Sequence, residues 1–271
     1  MKEHKTRQIL QITDLHLFGD DNHTLMGLQT SNTLEAVLNS VKLNMANGVL
    51  DPSCIVLSGD ISQDYSLASY QKVLNYFDDF TCPIYALLGN HDNSYVFENA
   101  FLHSKINLDK KVILGNWLIL LLNSHVPFQV GGHLSDGELS FLESELAANQ
   151  DKFVLIFVHH HLLPCTALWL NKIDLANKER LFSIIDKYNC VVGVSSGHIH
   201  QNFHEMRNNV DYFTTPSTCL QFAENTENFK ADVVMPGYRW FSLDSDGSCT
   251  SGIVRVAHEK SFVPDLFAKG Y

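Results

Sequence analysis

The stretch "RQILQITDLH", residues 7 to 16, runs from an apolar segment of strand length straight into a carboxylate and an imidazole. The same form recurs along the chain. "CIVLSG" (54–59) ends in Asp60, "PIYALLG" (83–89) in Asn90-His91-Asp92, "FVLIFV" (153–158) in His159, and "CVVGVSSG" (190–197) in His198-Ile199-His200. A further apolar run, "VILGNWLILLLN", covers 112–123. Continuous apolar runs, as opposed to alternating ones, mark strands covered on both faces. Between them lie helical patterns at 27–45, 66–80, 136–149 and 176–188, with apolar residues such as Leu34, Val37, Leu38 and Val41 on one face. Strand–helix alternation predicts an α/β layered architecture. The last fifty residues or so break the pattern. "DYFTT", "GYRWFSLD" and "SGIVRVAH", with "DSDGS" as a turn, read as antiparallel strands, and residues of about 205–260 are assigned to the second sheet.

The whole chain bounds the reading. It has 271 residues, 45% of them hydrophobic, enough for one large domain with a full core, and residues 1–271 are read as a single domain. The net charge of −11 excludes a mainly electrostatic nucleic-acid binder, and no basic run offsets it. The six cysteines form no C-x-x-C pair and read as reduced structural thiols. "MKEHKTRQ" carries no apolar signal region, and the 112–122 run is too short to span a bilayer. The expectation is a cytoplasmic protein with no membrane and no nucleic-acid partner.

In open α/β sheets functional groups gather at the carboxyl ends of strands. Here those ends deliver carboxylate, imidazole and amide groups, the donors of divalent manganese, iron, zinc or cobalt. Thiolate is missing from the set, which argues against a structural zinc site. In Asp14-x-His16 and His198-x-His200 a strand period of two sends both side chains of each pair one way, and Leu15 and Ile199 into the core. Glycines before Asp60, Asn90 and His198 allow sharp turns and close backbone approach. Each pair alone has a plain alternative, since an isolated Asp at a strand end is commonly a helix cap or turn former. The joint placement is what points to a site.

Asp14-x-His16, Gly59-Asp60, Gly89-Asn90-His91-Asp92, His159 and Gly197-His198-x-His200, in that order, resemble the calcineurin-like metallophosphoesterases. "ILQITDLHLF", "HHH", "SGHIHQ", "PSTCLQF" (216–222), "PGYR" (236–239) and the terminal "GY" narrow the resemblance to bacterial class III cyclic-AMP phosphodiesterases. Leu162, where the subgroup has proline, and Ser196, where it has cysteine, are departures outside the ligand positions. The resemblance implies a four-layer α/β/β/α sandwich with two divalent metals, iron and manganese or two manganese ions, at the carboxyl ends of the strands. It implies Asp14, His16, Asp60 and His200 on one metal. Asp60 bridges to a second that also takes Asn90, His159 and His198. The implied reaction is hydrolysis of 3′,5′-cyclic AMP to 5′-AMP by in-line attack of a metal-bridging hydroxide. Alternatives are a broader phosphodiesterase acting on 2′,3′-cyclic nucleotides or other diesters, and a non-catalytic scaffold on the same fold.

Two metals, two carboxylates and one hydroxide leave the site about one charge positive, which reverses the field of an acidic protein where an anionic substrate must dock. His91 is placed to hydrogen-bond the phosphoryl group or to protonate the departing 3′ oxygen as general acid. Catalysis is assigned to His91 and Asp60, and substrate contact to His16, Asp60, Asn90, His91 and His200. Phe222 as a base-stacking ring and Arg239 as a phosphate contact compete with plain core and structural readings. Asp92 either orients His91 or caps the next helix. In the histidine run, His159 is the ligand, His160 orders the cleft wall or turn, and His161 faces the cleft mouth or the surface.

Overall fold

The computed structural model describes residues 6–268. The opening residues of "MKEHKTRQ" and the terminal "GY" lie outside them. The elements follow in order: β1 (Arg7–Ile12), α1 (Thr30–Ala46), β2 (Pro52–Ser58), α2 (Leu67–Tyr76), β3 (Ile84–Leu87), α3 (Ser94–Phe101), β4 (Ile106–Asn107), β5 (Lys111–Leu114) and β6 (Trp117–Leu122). Then come α4 (Asp136–Ala148), β7 (Phe153–Val158), α5 (Lys178–Ile185), β8 (Val191–Ser196), β9 (Phe203–Arg207), β10 (Val210–Thr214), β11 (Gln221–Phe222), β12 (Ala231–Asp232), β13 (Gly237–Leu243) and β14 (Cys249–Arg255). The expected strand at 112–123 is a hairpin, broken at Gly115-Asn116 with Gly115 at φ +67°. Ser66, Asn93 and Ser135 cap α2, α3 and α4 through their side-chain oxygens.

Two six-stranded sheets run β14-β13-β1-β2-β3-β4 and β5-β6-β7-β8-β10-β9. Strand alternation sorts their side chains into three apolar layers. Leu10, Ile12, Ile55 and Leu57 pack outward under α1, α2 and α3, meeting Leu34, Val37, Tyr70, Val73, Phe97 and Phe101. Leu118, Leu120, Val154 and Ile156 pack outward on the other side against Leu139, Leu142, Leu181 and Ile185 of α4 and α5. Ile9, Cys54, Val56, Trp117, Ile119, Leu155, Phe157 and Phe241 fill the space between the sheets. The result is the expected helix–sheet–sheet–helix sandwich. It explains why the central runs are apolar throughout: each strand has a packed layer on both faces.

The C-terminal assignment needs correction. β9 and β10 do belong to the second sheet, but β10 lies parallel to β8. β13 and β14 instead join the first sheet, with β13 antiparallel to β1 and Gln11 opposite Arg239. The physical reason is that alternation signals an antiparallel hairpin but does not choose between sheets. Phe241 and Leu243 fill the inter-sheet layer while Tyr238 fills the outer one, so the hairpin continues the β1 edge. All six cysteines are free.

Candidate functional site

The carboxyl ends of β1, β2, β3, β7 and β8 meet at one end of the sandwich. Asp14, His16 and His200 each present a ligand atom within 4.8 Å of the others, as do Asp14, Asp60 and His159, and also His16, Asp60 and His91. His159, His160 and His198 form a fourth such group. Asp60 is central: its Oδ2 lies 3.7 Å from His16 Nε2 and 3.3 Å from His159 Nε2. His200 Nε2 is 3.2 Å from Asp14 Oδ1, and Asn90 Oδ1 is 3.1 Å from His159 Nε2. Asp14, His16, Asp60, His159, His198 and His200 are buried, whereas Asn90 and His91 are partly exposed and open onto a cleft.

The shared direction of Asp14 and His16 has another cause than strand alternation. β1 has already ended, and both residues are left-handed, at φ +54° and +47°. His198 and His200 repeat this at +66° and +51°, and Asp60 sits at +51°. Left-handed backbone at five non-glycine positions is strain held by the surroundings. Asp14 N donates to Gly59 O and His16 N to Asp60 O, which ties the segment after β1 to the one after β2. Leu15 and Ile199 do point into the core. Close approach is required at Gly59 and Gly89. A Cβ on Gly59, at φ +98°, would lie 2.5 Å from His159 Nδ1 and 2.7 Å from Gly89 N, and one on Gly89 would strike the Asp60 carboxylate.

The far side of each ring sets its tautomer. His16 Nδ1 donates to Gln63 Oε1 (2.6 Å), His159 Nδ1 to the Ser58 carbonyl (2.8 Å) and His200 Nδ1 to the Leu220 carbonyl (2.7 Å). His198 is reversed, with Nε2 donating to the Ile173 carbonyl at 3.0 Å. In the neutral rings the lone pairs then sit on Nε2 of His16, His159 and His200 and on Nδ1 of His198. His16 Nε2 and His200 Nε2 face each other at 3.3 Å. Asp60 Oδ2 and His198 Nδ1 are buried with no hydrogen-bond partner. Converging lone pairs and orphaned buried acceptors need a cation, and hard carboxylate and amide oxygens with imidazole nitrogens suit a divalent one. The residues fit metal.

Electrostatics say the same. Burial opposes ionisation of Asp60, yet His159, His91 and His16 together hold its carboxyl well below the ordinary range. Asp14 is likewise lowered against burial, chiefly by His200. Burial disfavours charge on His159, but Asp60 and Asp14 outweigh it and lift the ring to about 9. Burial dominates at His16, which falls to about 3. The carboxylates therefore draw positive charge to the site, a demand that a divalent cation meets in place of a proton.

Other residues fall differently from expectation. Asp92 neither orients His91 nor caps α3, a role Asn93 fills. It accepts from Ile61 N, Ser62 N, Gly89 N and Tyr70 Oη, and so binds the loop after β2 to the loop after β3. Phe222 is buried and stacks on His200 at 4.1 Å and 8°, backing a candidate ligand where a base-stacking role was considered. Arg239 is also buried and donates to Asn202 Oδ1, the Thr214 carbonyl and Ser251 Oγ, an inter-sheet brace that does not offer its charge to a phosphate. His160 is held at both nitrogens, Nδ1 by Ser124 Oγ at 2.7 Å and Nε2 by the Val130 carbonyl at 3.0 Å, as a wall residue. His161 is buried and stacks on His198 (5.8 Å, 25°), so neither the cleft mouth nor the surface describes it.

Sequence reading missed His125, which lines the cleft beside His91 and whose Nδ1 donates to the Gly89 carbonyl at 2.9 Å. It stands just past the end of β6, so the strand-end rule applied to "WLILLLN" would have found it. Gln63, which fixes His16, lies on a loop with no such signal.

Fold and site together define a metal-dependent phosphoesterase. The chain belongs to the calcineurin-like phosphoesterase family, whose model matches residues 7–202. It is 35% identical over 97% of its length, and 94% of the relative's, to a Pseudomonas aeruginosa protein named 3′,5′-cyclic adenosine monophosphate phosphodiesterase CpdA. An Escherichia coli K12 protein of the same name is 36% identical over the same shares. A dimetal phosphatase from Danio rerio shares the fold, with a TM-score of 0.64 at 15% identity, covering 93% of this chain and 99% of that one.

Proposed function

We propose that this protein hydrolyses 3′,5′-cyclic AMP to 5′-AMP at a centre of two divalent metals, iron and manganese or two manganese ions. The observation that carries the reading is the convergence of lone pairs from both sheets on Asp60, in a chain that resembles cyclic-AMP phosphodiesterases along nearly its whole length. Asp14, His16, Asp60 and His200 would hold one metal. Asp60, Asn90, His159 and His198 would hold the other. When bound, the pair supplies Lewis acidity to the phosphoryl oxygens and lowers the pKa of water.

The chain's own residues do the rest. Asp60 Oδ1 accepts the His91 amide at 2.7 Å, which sets the imidazole at the edge of the donor cluster, 4.9 Å centroid to centroid from His16. From there His91 reaches a phosphodiester lying over Asn90. Hydroxide adds to phosphorus in line with the 3′ oxygen, the P–O3′ bond breaks, and His91 delivers a proton to the departing oxygen. Asn90 orients a phosphoryl oxygen through its amide. Working in the cytoplasm agrees with six free thiols. Among the described residues no helix is long and apolar enough to cross a membrane.

Chromatography of the product from manganese-loaded protein tests the reading. 5′-AMP is expected, and 3′-AMP or unchanged cyclic AMP overturns it. His91→Ala should keep its metal and lose on the order of 10²-fold or more in kcat on cyclic AMP. The loss should be smaller on an activated aryl diester, whose leaving group needs no proton.

A further inference from the structure

A cleft of about 560 Å³ opens directly over Asn90 and His91, a volume suited to a small ligand. Three aromatic rings line it, and all three are exposed: Tyr65 by 51%, Tyr95 by 76% and Phe128 by 105%. Val130, also exposed, joins them. Scattered apolar surface residues need no explanation, but a cluster beside a polar site does. Two of the rings also sit on left-handed backbone, Tyr65 at φ +59° and Phe128 at φ +63°. Bulky residues rarely adopt that conformation, and it persists only where surrounding contacts impose it.

Those contacts are present. Asp64 accepts from Gly19 N at 2.7 Å and Ser66 N at 3.0 Å, which pins the turn that carries Tyr65. His125, bonded to the Gly89 carbonyl, anchors one side of the Phe128 loop. His160 Nε2, bonded to the Val130 carbonyl, anchors the other. The chain thus holds two of the three exposed rings in strained positions along the same cleft that Asn90 and His91 line.

We infer that Tyr65, Tyr95 and Phe128 form the base-binding wall of this site and take the purine of a cyclic nucleotide by stacking, an inference that rests on the cyclic-nucleotide reading above. The ring faces offer a sequence-tolerant platform for a flat heterocycle, as aromatic side chains do for unpaired bases. The wall replaces Phe222, which is committed to His200.

Calorimetry on manganese-loaded protein tests this with 5′-AMP and ribose 5-phosphate, which share a phosphate and sugar and differ by the base. The wild type should bind 5′-AMP about tenfold or more tightly than ribose 5-phosphate. Phe128→Ala and Tyr95→Ala, both at exposed positions, should remove most of that preference and leave ribose 5-phosphate affinity as it was. In the same variants KM for cyclic AMP should rise by a similar factor while kcat changes less. A preference for 5′-AMP that survives both substitutions, or none in the wild type, overturns the wall. A wild type that prefers 5′-AMP without hydrolysing cyclic AMP would keep the wall and sink the hydrolase reading, so the two failures are distinguishable.

Discussion

Each imidazole in this site is aimed by what lies behind it. Three rings donate from Nδ1 to Gln63 or to a backbone carbonyl, so the lone pairs of His16, His159 and His200 turn toward Asp60 and Asp14, while His198 donates from Nε2 and keeps its Nδ1 lone pair in the cluster with His159. Adjacent residues of the same type therefore do different work. His159 meets the carboxylates, His160 spends both nitrogens on Ser124 and Val130, and His161 packs beneath His198. Elemental analysis of single alanine variants checks this division. His159→Ala should lose most bound metal, since a proposed ligand is removed. His160→Ala should keep it and raise KM, since its loop carries Phe128. Equal metal loss in both variants would contradict the division. His159 was legible from sequence because a buried strand ends beside it. The left-handed backbone at Asp14, His16 and His200 was not, because aspartate and histidine carry no glycine-like mark of that conformation.

Among the elements, β1 does the most to unite the two halves of the site. Its Gln11 is buried where the sheets face each other. Nε2 donates to Ser58 Oγ at 2.8 Å, and Oε1 accepts from Ser195 Oγ at 2.6 Å and Thr215 Oγ1 at 2.7 Å. One side chain thus links β1 and β2 to β8 and the end of β10, directly beneath Asp14 and His198. Gln11→Leu keeps the size and strands three buried hydroxyls, each costing about 1–3 kcal/mol if it finds no other partner. A fall of about 2 kcal/mol or more in unfolding free energy from denaturant titration is expected, with the slope unchanged. A midpoint equal to wild type would show that the knot contributes nothing. Sequence reading found β1 from its apolar residues and passed over Gln11, since a lone polar residue in such a run signals no partner. It misplaced β13 and β14 for a related reason: hairpin patterning is local, whereas sheet membership depends on which edge lies open.

For the whole molecule, the sandwich matters because the site is split across it. Asp14, His16, Asp60 and Asn90 follow strands of the first sheet, and His159, His198 and His200 follow strands of the second. Neither half gathers the donors, and the inter-sheet layer of Ile9, Val56, Leu155 and Phe157 holds them in register. In a chain of net charge −11, the proposed two-metal centre would supply the local positive charge that an anionic substrate needs, and metal loading would then govern both binding and chemistry. The most direct test is the turnover of one manganese-loaded preparation on cyclic AMP, cyclic GMP, 2′,3′-cyclic AMP and bis-p-nitrophenyl phosphate, before and after chelation. The account predicts substantial cyclic-AMP hydrolysis that chelation abolishes and manganese restores. Negligible cyclic-AMP turnover beside strong activity on another of these diesters would contradict it.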